Sequence, residues 1–260
     1  MQETLFDSAV RVESWDGGAF WRVVLNRPPE NRLDDTMVRD LTEVFRAAAS
    51  APGLRATLLI GAGAHFSLGA DPRELLPERG AESLRAWLTL IRLILDVPVF
   101  RIAVVTGECK GRGLELARIC NRVYGAPDAM LGLPEIAMGL FPPVAAVVLP
   151  ERIGRGAAAE LCATGYVKNA REASWMHLVD HAVENPEAFA ITEVRHFLSN
   201  LSASSLRLAL RAVDLGFRSR VLAGLEQVEA LYVDGLLPTH DAQEGVRAVL
   251  EQREPRWQHG

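Results

Sequence analysis

Two acids and a glycine-flanked helix start are the groups in this 260-residue chain whose types and spacing could do chemistry together. Gly111 and Gly113 end an apolar, β-branched run from Ile102 to Val105 and precede a helical pattern from Leu114 to about Cys120. Glu115 therefore falls on a first helical turn, where backbone N–H groups lack intrahelical acceptors and can face a ligand oxygen. Glu135 follows Leu133-Pro134, and the proline fixes the backbone just ahead of the acid. Two acids near one polarised carbonyl suit proton transfer in both directions. Nucleotide chemistry is not indicated: Leu116 stands where a dinucleotide fingerprint needs its last glycine, and GECKGRG lacks the GK[ST] ending of a phosphate loop.

The elements that must hold these groups are legible on either side. Residues 8 to 27 read as two strands around Asp16-Gly17-Gly18, because SAVRVES and AFWRVVL alternate β-forming residues. Helical spacing marks 35 to 50 and 81 to 96, with strands at 54 to 61, 97 to 106 and 122 to 126, then helices at 154 to 164 and 170 to 176. Strand followed by helix, with long crossovers, predicts an α/β fold built on parallel pairing. From Pro186 onward the pattern is helical: SASSLRLALRAVDLGF starts at a serine cap, and VLAGLEQVEALYVDGLL carries a wide apolar stripe. This divides the chain into an α/β core, 1–185, and a C-terminal helical region, 186–260, whose stripe predicts packing on a neighbouring subunit or its own core.

Bulk properties narrow the function classes. At 49% hydrophobic and 23% charged residues the chain can bury a sizeable core. A net charge of -5 argues against a nucleic-acid partner. No apolar run approaches the roughly 20 residues that span a bilayer, and the first residues lack the order of a signal peptide, so no membrane partner and a cytoplasmic location are expected. Cys109, Cys120 and Cys162 form no CxxC pair, and no HExxH occurs, so neither a metal nor a disulfide is expected. His65 reads as a strand-end histidine and Cys109 as a small buried hydrophobe.

Four segments in order resemble the enoyl-CoA hydratase/isomerase (crotonase) superfamily: LNRPPENRLD at 25–34, HFSLGADPRE at 65–74, GRGLELARICN at 111–121 and LPEIAMGL at 133–140. The resemblance implies a crotonase-like spiral of repeated ββα units with a C-terminal helical trimerisation region, assembled as a homotrimer or dimer of trimers. It implies an acyl-CoA thioester as substrate and no separate cofactor. Carried over by position, the backbone N–H groups of Ala70 and Arg112 form an oxyanion hole, and Glu115 and Glu135 hold one water between them. Two such donors are worth about 3 kcal/mol each at the transition state. Arg32, Ser67, Leu68, Gly69, Asp71, Arg73 and Gly111 fall to CoA or substrate binding, with Phe141 and Pro143 as an apolar wall for the acyl group. Further likeness at 139–155, 201–212 and 239–257 points to the subgroup that hydrates cyclic dienoyl-CoA thioesters such as cyclohexa-1,5-diene-1-carbonyl-CoA. The expected activity is therefore a hydratase-type lyase. Two alternatives stand beside it: an isomerase or decarboxylase of the same superfamily in a biosynthetic pathway, and a non-catalytic acyl-CoA-binding or assembly subunit. Arg112, where the family commonly has glycine, is the feature that speaks for the last.

Overall fold

The computed structural model describes residues 3–260. Three antiparallel strands open the fold: β1 (Glu3–Asp7), β2 (Val10–Trp15) and β3 (Phe20–Leu25). The β2–β3 hairpin turns at Asp16–Gly18, where Gly17 and Gly18 take φ of 69° and 91°, a region open chiefly to glycine. Strands β4 (Ala56–Gly61), β5 (Phe100–Val105), β6 (Glu108–Lys110), β7 (Arg122–Gly125), β8 (Met130–Gly132), β9 (Val167–Asn169) and β10 (His181–Ala182) come after them. One seven-stranded sheet runs β1-β2-β3-β4-β5-β7-β10, parallel from β3 onward. A second sheet of three strands runs β6-β8-β9. Neither β1 nor this second sheet was expected.

The helices are α1 (Asp35–Ala49), α2 (Pro77–Asp96), α3 (Arg112–Arg118), α4 (Pro143–Ile153), α5 (Arg155–Thr164), α6 (Ala170–Trp175), α7 (Pro186–Leu198), α8 (Ala203–Ala230) and α9 (His240–Leu250). Every residue of β4 is buried, as a central parallel strand covered on both faces must be. Period-two alternation splits its side chains: Leu58 and Ile60 pack with Ile102, Val104 and α7, while Leu59 joins Ala103, Val105 and the inward faces of α1 and α2. Helix α1 begins where Asp34 accepts the Met37 N–H at 2.9 Å, and it buries Met37, Leu41, Val44, Phe45 and Ala48 at helical spacing. Ser202 caps α8 as expected. Val221, Leu225 and Val228 bury one stripe of α8, whereas Leu208, Val213 and Leu215 nearer its start lie exposed.

The small sheet is the element that joins the two acids, because parallel pairing of β6 with β8 sets Lys110 opposite Gly132. The two segments that leave those strands carry Gly111 to Glu115 and Pro134 to Glu135, so one short ladder brings both carboxyls to the same place. Helix α9 then closes over the turn Pro134–Met138. A Cβ on Gly245 would lie 2.2 Å from the Met138 carbonyl oxygen, a backbone atom that cannot rotate away. Gly245→Ala is expected to cost about 1–3 kcal/mol or more through this overlap. For a chain of this size that lowers Tm by roughly 2–4 °C per kcal/mol, which a thermal melt reads directly. Activity is expected to fall as well, since the displaced turn carries Glu135.

Candidate active site

Two loops build the rim of the site. In the first, Asn31 donates from Nδ2 to the carbonyls of Ala62 and His65, both at 2.8 Å, while Leu33 N–H bonds Gly69 O at 2.9 Å and Arg32 Nη1 bonds Ala70 O at 2.9 Å. Ser67 bridges to Cys109 through backbone bonds, and its hydroxyl accepts the Gly69 N–H at 3.1 Å. In the second, Gly111 takes φ 53° and its N–H bonds Gly132 O at 3.0 Å. The loops touch: a Cβ on Gly69 would lie 3.3 Å from Arg112 N. Neither Ala70 N–H nor Arg112 N–H donates to a protein acceptor among the described residues.

Beneath this rim lies a cavity of about 230 Å³. Leu68, Gly69, Ala70, Gly111 and Arg112 line one side, Leu75, Leu84, Met138, Phe141, Pro143 and Val249 form an apolar wall, and Glu135 and Tyr232 place polar groups in it. Arg32 stands at the mouth, held by an ion pair with Glu30 at 2.6 Å. Of the residues expected to meet substrate, Leu68, Gly69, Ala70, Gly111, Arg112, Glu135, Phe141, Pro143 and Arg32 converge here.

Four do not: Glu115 lies behind the cavity wall, and Ser67, Asp71 and Arg73 lie elsewhere for differing physical reasons. Ser67 is fully buried under the loop, where its hydroxyl shapes the Gly69 peptide and cannot reach a ligand. Asp71 caps the turn Pro72–Glu74 by accepting the Arg73 N–H at 2.9 Å, and the paired Arg73 guanidinium holds its carboxyl below the usual range. Both Asp71 and Arg73 border a neighbouring polar groove with Asn26, Arg27, Glu30 and Arg32. Arg73, 75% exposed, has its charge already matched by Asp71.

Glu115 and Glu135 occupy contrasting surroundings. Glu115 is 1% exposed and lies behind the cavity wall. Its Oε1 accepts N–H bonds from Val144 at 2.8 Å and Ala145 at 2.9 Å, both at the start of α4, and its Oε2 accepts Trp87 Nε1–H at 2.8 Å. Burial raises its pKa and these donors oppose the rise. Glu135 has an unpartnered Oε2, and its Oε1 packs where a Cβ on Gly111 would lie at only 2.5 Å. Burial first, and the nearby Glu115 second, push the Glu135 carboxyl up to about 8. Burial thus pushes both carboxyls toward the neutral form, and Glu115 has in addition three N–H donors that favour its charge.

Two neighbours were not legible in the sequence. Trp87, from the middle of α2, supplies the indole donor to Glu115, and the Arg112 guanidinium sits 5.6 Å over its ring. Tyr232, in a π-helical turn Leu231–Leu236 that prolongs α8, packs edge-on against Phe141 with ring centroids 5.2 Å apart. His65 accepts the Glu108 N–H at 3.1 Å, a strand-end role. His177 and His181 stand four residues apart, but the His181 ring stacks with Tyr124 and Phe189, and no metal-holding group of three exists among the described residues. Burial pushes the Cys120 thiol up to about 11 and raises Cys109 further, which leaves both as unreactive core thiols.

A sequence profile of the enoyl-CoA hydratase/isomerase family matches residues 17–260. The chain belongs to that family. Its relatives include a cyclohexa-1,5-dienecarbonyl-CoA hydratase of Thauera aromatica, 39% identical over 242 residues that cover 93% of this chain and 94% of the relative. A probable enoyl-CoA hydratase of Bacillus subtilis is 30% identical over 242 residues, covering 90% and 93%. Among solved structures, an enoyl-CoA hydratase from Mycobacterium avium superposes with a TM-score of 0.85 at 27% identity, covering 97% of this chain and all of that one. An enoyl-CoA hydratase/isomerase from Mycobacterium paratuberculosis gives 0.84 at 25% identity, covering 94% and 99%. The α/β architecture is thus the crotonase-like one, and a hydratase-type enzyme acting on an acyl-CoA is the activity that family membership carries. No helix among the described residues of this family member is long and apolar enough to cross a membrane.

Proposed function

We propose that this enoyl-CoA hydratase-type enzyme adds water to a cyclic dienoyl-CoA, of which cyclohexa-1,5-diene-1-carbonyl-CoA is the reference substrate. The observation that carries the reading is Glu135, with an unpartnered Oε2 and a carboxyl that burial pushes up to about 8, lining the same cavity as Ala70 and Arg112, whose backbone N–H groups are unpaired. Ala70 and Arg112 N–H would hold the thioester oxygen, and α3 adds the positive end of its short dipole. Water oxygen bonds to the ring carbon β to the carbonyl, and its proton passes to Glu115. Electrons move through the conjugated system onto the thioester oxygen. Glu135 then returns a proton to the far end of the diene, which regenerates one ring double bond. A 230 Å³ chamber walled by Leu75, Leu84, Met138 and Phe141 suits a compact ring better than an extended acyl chain. The 39% identical relative, itself a cyclohexa-1,5-dienecarbonyl-CoA hydratase, supports the same choice.

The substrate choice is tested by kcat/KM for cyclohexa-1,5-diene-1-carbonyl-CoA and crotonyl-CoA side by side. The cyclic thioester is expected to be favoured by about 10-fold or more; equal values, or a preference for crotonyl-CoA, would contradict it. A second reading has one observation in its favour: Glu115 stands behind the cavity wall with three N–H donors already bound. In that reading Glu135 alone moves a proton between ring carbons, and the enzyme is an isomerase. Incubation in D2O separates the two, because isomerisation exchanges hydrogen without adding the mass of water. Assembly as a homotrimer or dimer of trimers is part of the proposal. Its support is the exposure of Leu208 and Leu215, two turns apart on one face of α8, and of Val213 on another.

A further inference from the structure

Two hydrogen-bond donors at the cavity, one lining it and one buried beside it, are not used by the hydration scheme. The Arg112 side chain is withdrawn from solvent, the residue being only 6% exposed, and its Nη2 donates to Ser83 Oγ at 3.0 Å. Its Nη1 is buried with no protein partner. The charged and phenolic groups that face it are Tyr232, Glu115, Glu74 and Glu135, and none of them accepts a hydrogen bond from the guanidinium. A buried donor of this kind carries a desolvation cost that a bound acceptor would relieve. Tyr232 is 4% exposed and lines the same cavity, and its hydroxyl has no hydrogen bond among the described residues. Its burial raises the phenol pKa, so the group is a neutral donor throughout the working range. Tyr232 also sits in a π-helical turn, a distortion of α8 that recurs at functional positions.

We infer that Arg112 and Tyr232 together form an oxygen-binding corner of the acyl cavity, which holds the hydroxyl that the reaction places on the ring carbon β to the thioester. The inference rests on the proposed hydration for the identity of that oxygen. Geometry favours this position, because Arg112 contributes its backbone N–H to the thioester end while its guanidinium, anchored on Ser83 and over Trp87, neighbours the cavity-lining Tyr232. One residue thus presents its backbone N–H to the thioester end and its guanidinium to Tyr232 at the cavity wall. Arg112 in place of a glycine becomes a specificity-determining residue, and the same feature ceases to argue for a silent binding subunit. An acceptor on a charged donor within a dry site discriminates strongly against a ligand that lacks it.

The test uses binding, with two aromatic thioesters that cannot be hydrated or dehydrated: benzoyl-CoA and 2-hydroxybenzoyl-CoA, titrated calorimetrically into the full-length protein. The wild type is expected to bind the hydroxylated ring about 10-fold tighter or more. Tyr232→Phe keeps the ring packed against Phe141, so it should retain benzoyl-CoA affinity while the preference shrinks several-fold. Arg112→Met should remove most of the remainder. A wild-type ratio near one, or an undiminished ratio in a folded Tyr232→Phe, would overturn the inference. If Arg112→Met fails to fold, Tyr232→Phe decides alone. Because the readout needs no turnover, a preserved ratio with no hydration of the diene would discard the hydratase reading and keep the corner. A ratio of one with hydration intact would do the reverse.

Discussion

Glu135→Gln lowers turnover by about 10²–10⁴-fold and, at alkaline pH, makes the protein more stable. The catalytic loss follows from position: Glu135 is the only acid lining the cavity among the described residues, and an amide cannot deliver a proton to a ring carbon. The stability gain follows from linkage. Its carboxyl is raised to about 8 in the folded chain, against 4.5 for the ordinary group. Between those values the unfolded chain ionises while the folded one keeps its proton, so the folded state binds more protons and stability falls as pH rises. Below 4.5 both states are neutral and there is no penalty; above about 8 the penalty is complete. Gln, which never ionises, is free of it. Thermal melts at about pH 5 and pH 9 should therefore show similar Tm values for the two proteins at the lower pH and a higher Tm for the variant at the upper. The rate of the wild type should likewise fall as pH rises through about 8, when Glu135 gives up the proton it must donate. A wild type that is fastest above about pH 9 would contradict this assignment of the acid.

Gly111→Ala is expected to reduce turnover by about 10²–10³-fold, the cost of disturbing one oxyanion donor. Two separate effects coincide at this position. With φ 53° and ψ -126°, Gly111 occupies a conformation that side chains rarely adopt, and alanine there carries about 1–3 kcal/mol of strain. Its Cβ would also meet Glu135 Oε1 at 2.5 Å. Relief of either effect shifts the peptide that presents Arg112 N–H or the carboxyl that supplies the proton. Gly154→Ala is the matched control, because Gly154 has φ 82° but nothing within 4 Å of an added Cβ. It should show comparable loss of stability with activity retained. Equal kinetic losses in both variants would mean that backbone strain alone, and not crowding of the acid, limits the reaction.

How far these features could be read beforehand depended on the range of the pattern that carried them. The β2–β3 hairpin, α1 and the parallel strands β4 and β5 show themselves through six or more residues of alternation, helical spacing or continuous apolar run. The small sheet is built from strands of three residues each, too short for a period to register, although it is what brings Gly111 against Glu135. Helix α4 opens on Pro142-Pro143, which reads as a loop wall for the ligand. Pro143 does line the cavity, and it also starts the helix whose Val144 and Ala145 N–H groups hold Glu115. Glu115 and Glu135 were legible because each follows a local backbone device, a glycine pair in one case and a proline in the other. Trp87 and Tyr232 have no such marker. Trp87 is one apolar residue in the buried stripe of α2, and Tyr232 one in the stripe that ends α8, so only their packing around Arg112 and Phe141 gives them a role. Ser67 shows the converse: its place in a recognisable loop suggests contact with substrate, whereas its depth makes it a support for Gly69.

The most direct measurement is the mass of the product formed from cyclohexa-1,5-diene-1-carbonyl-CoA by the purified wild type and by Glu135→Gln. The wild type is expected to add one water and the variant, over the same interval, almost none. A wild type that leaves the thioester mass unchanged, or a variant that adds water as fast as the wild type, would contradict the proposed hydration.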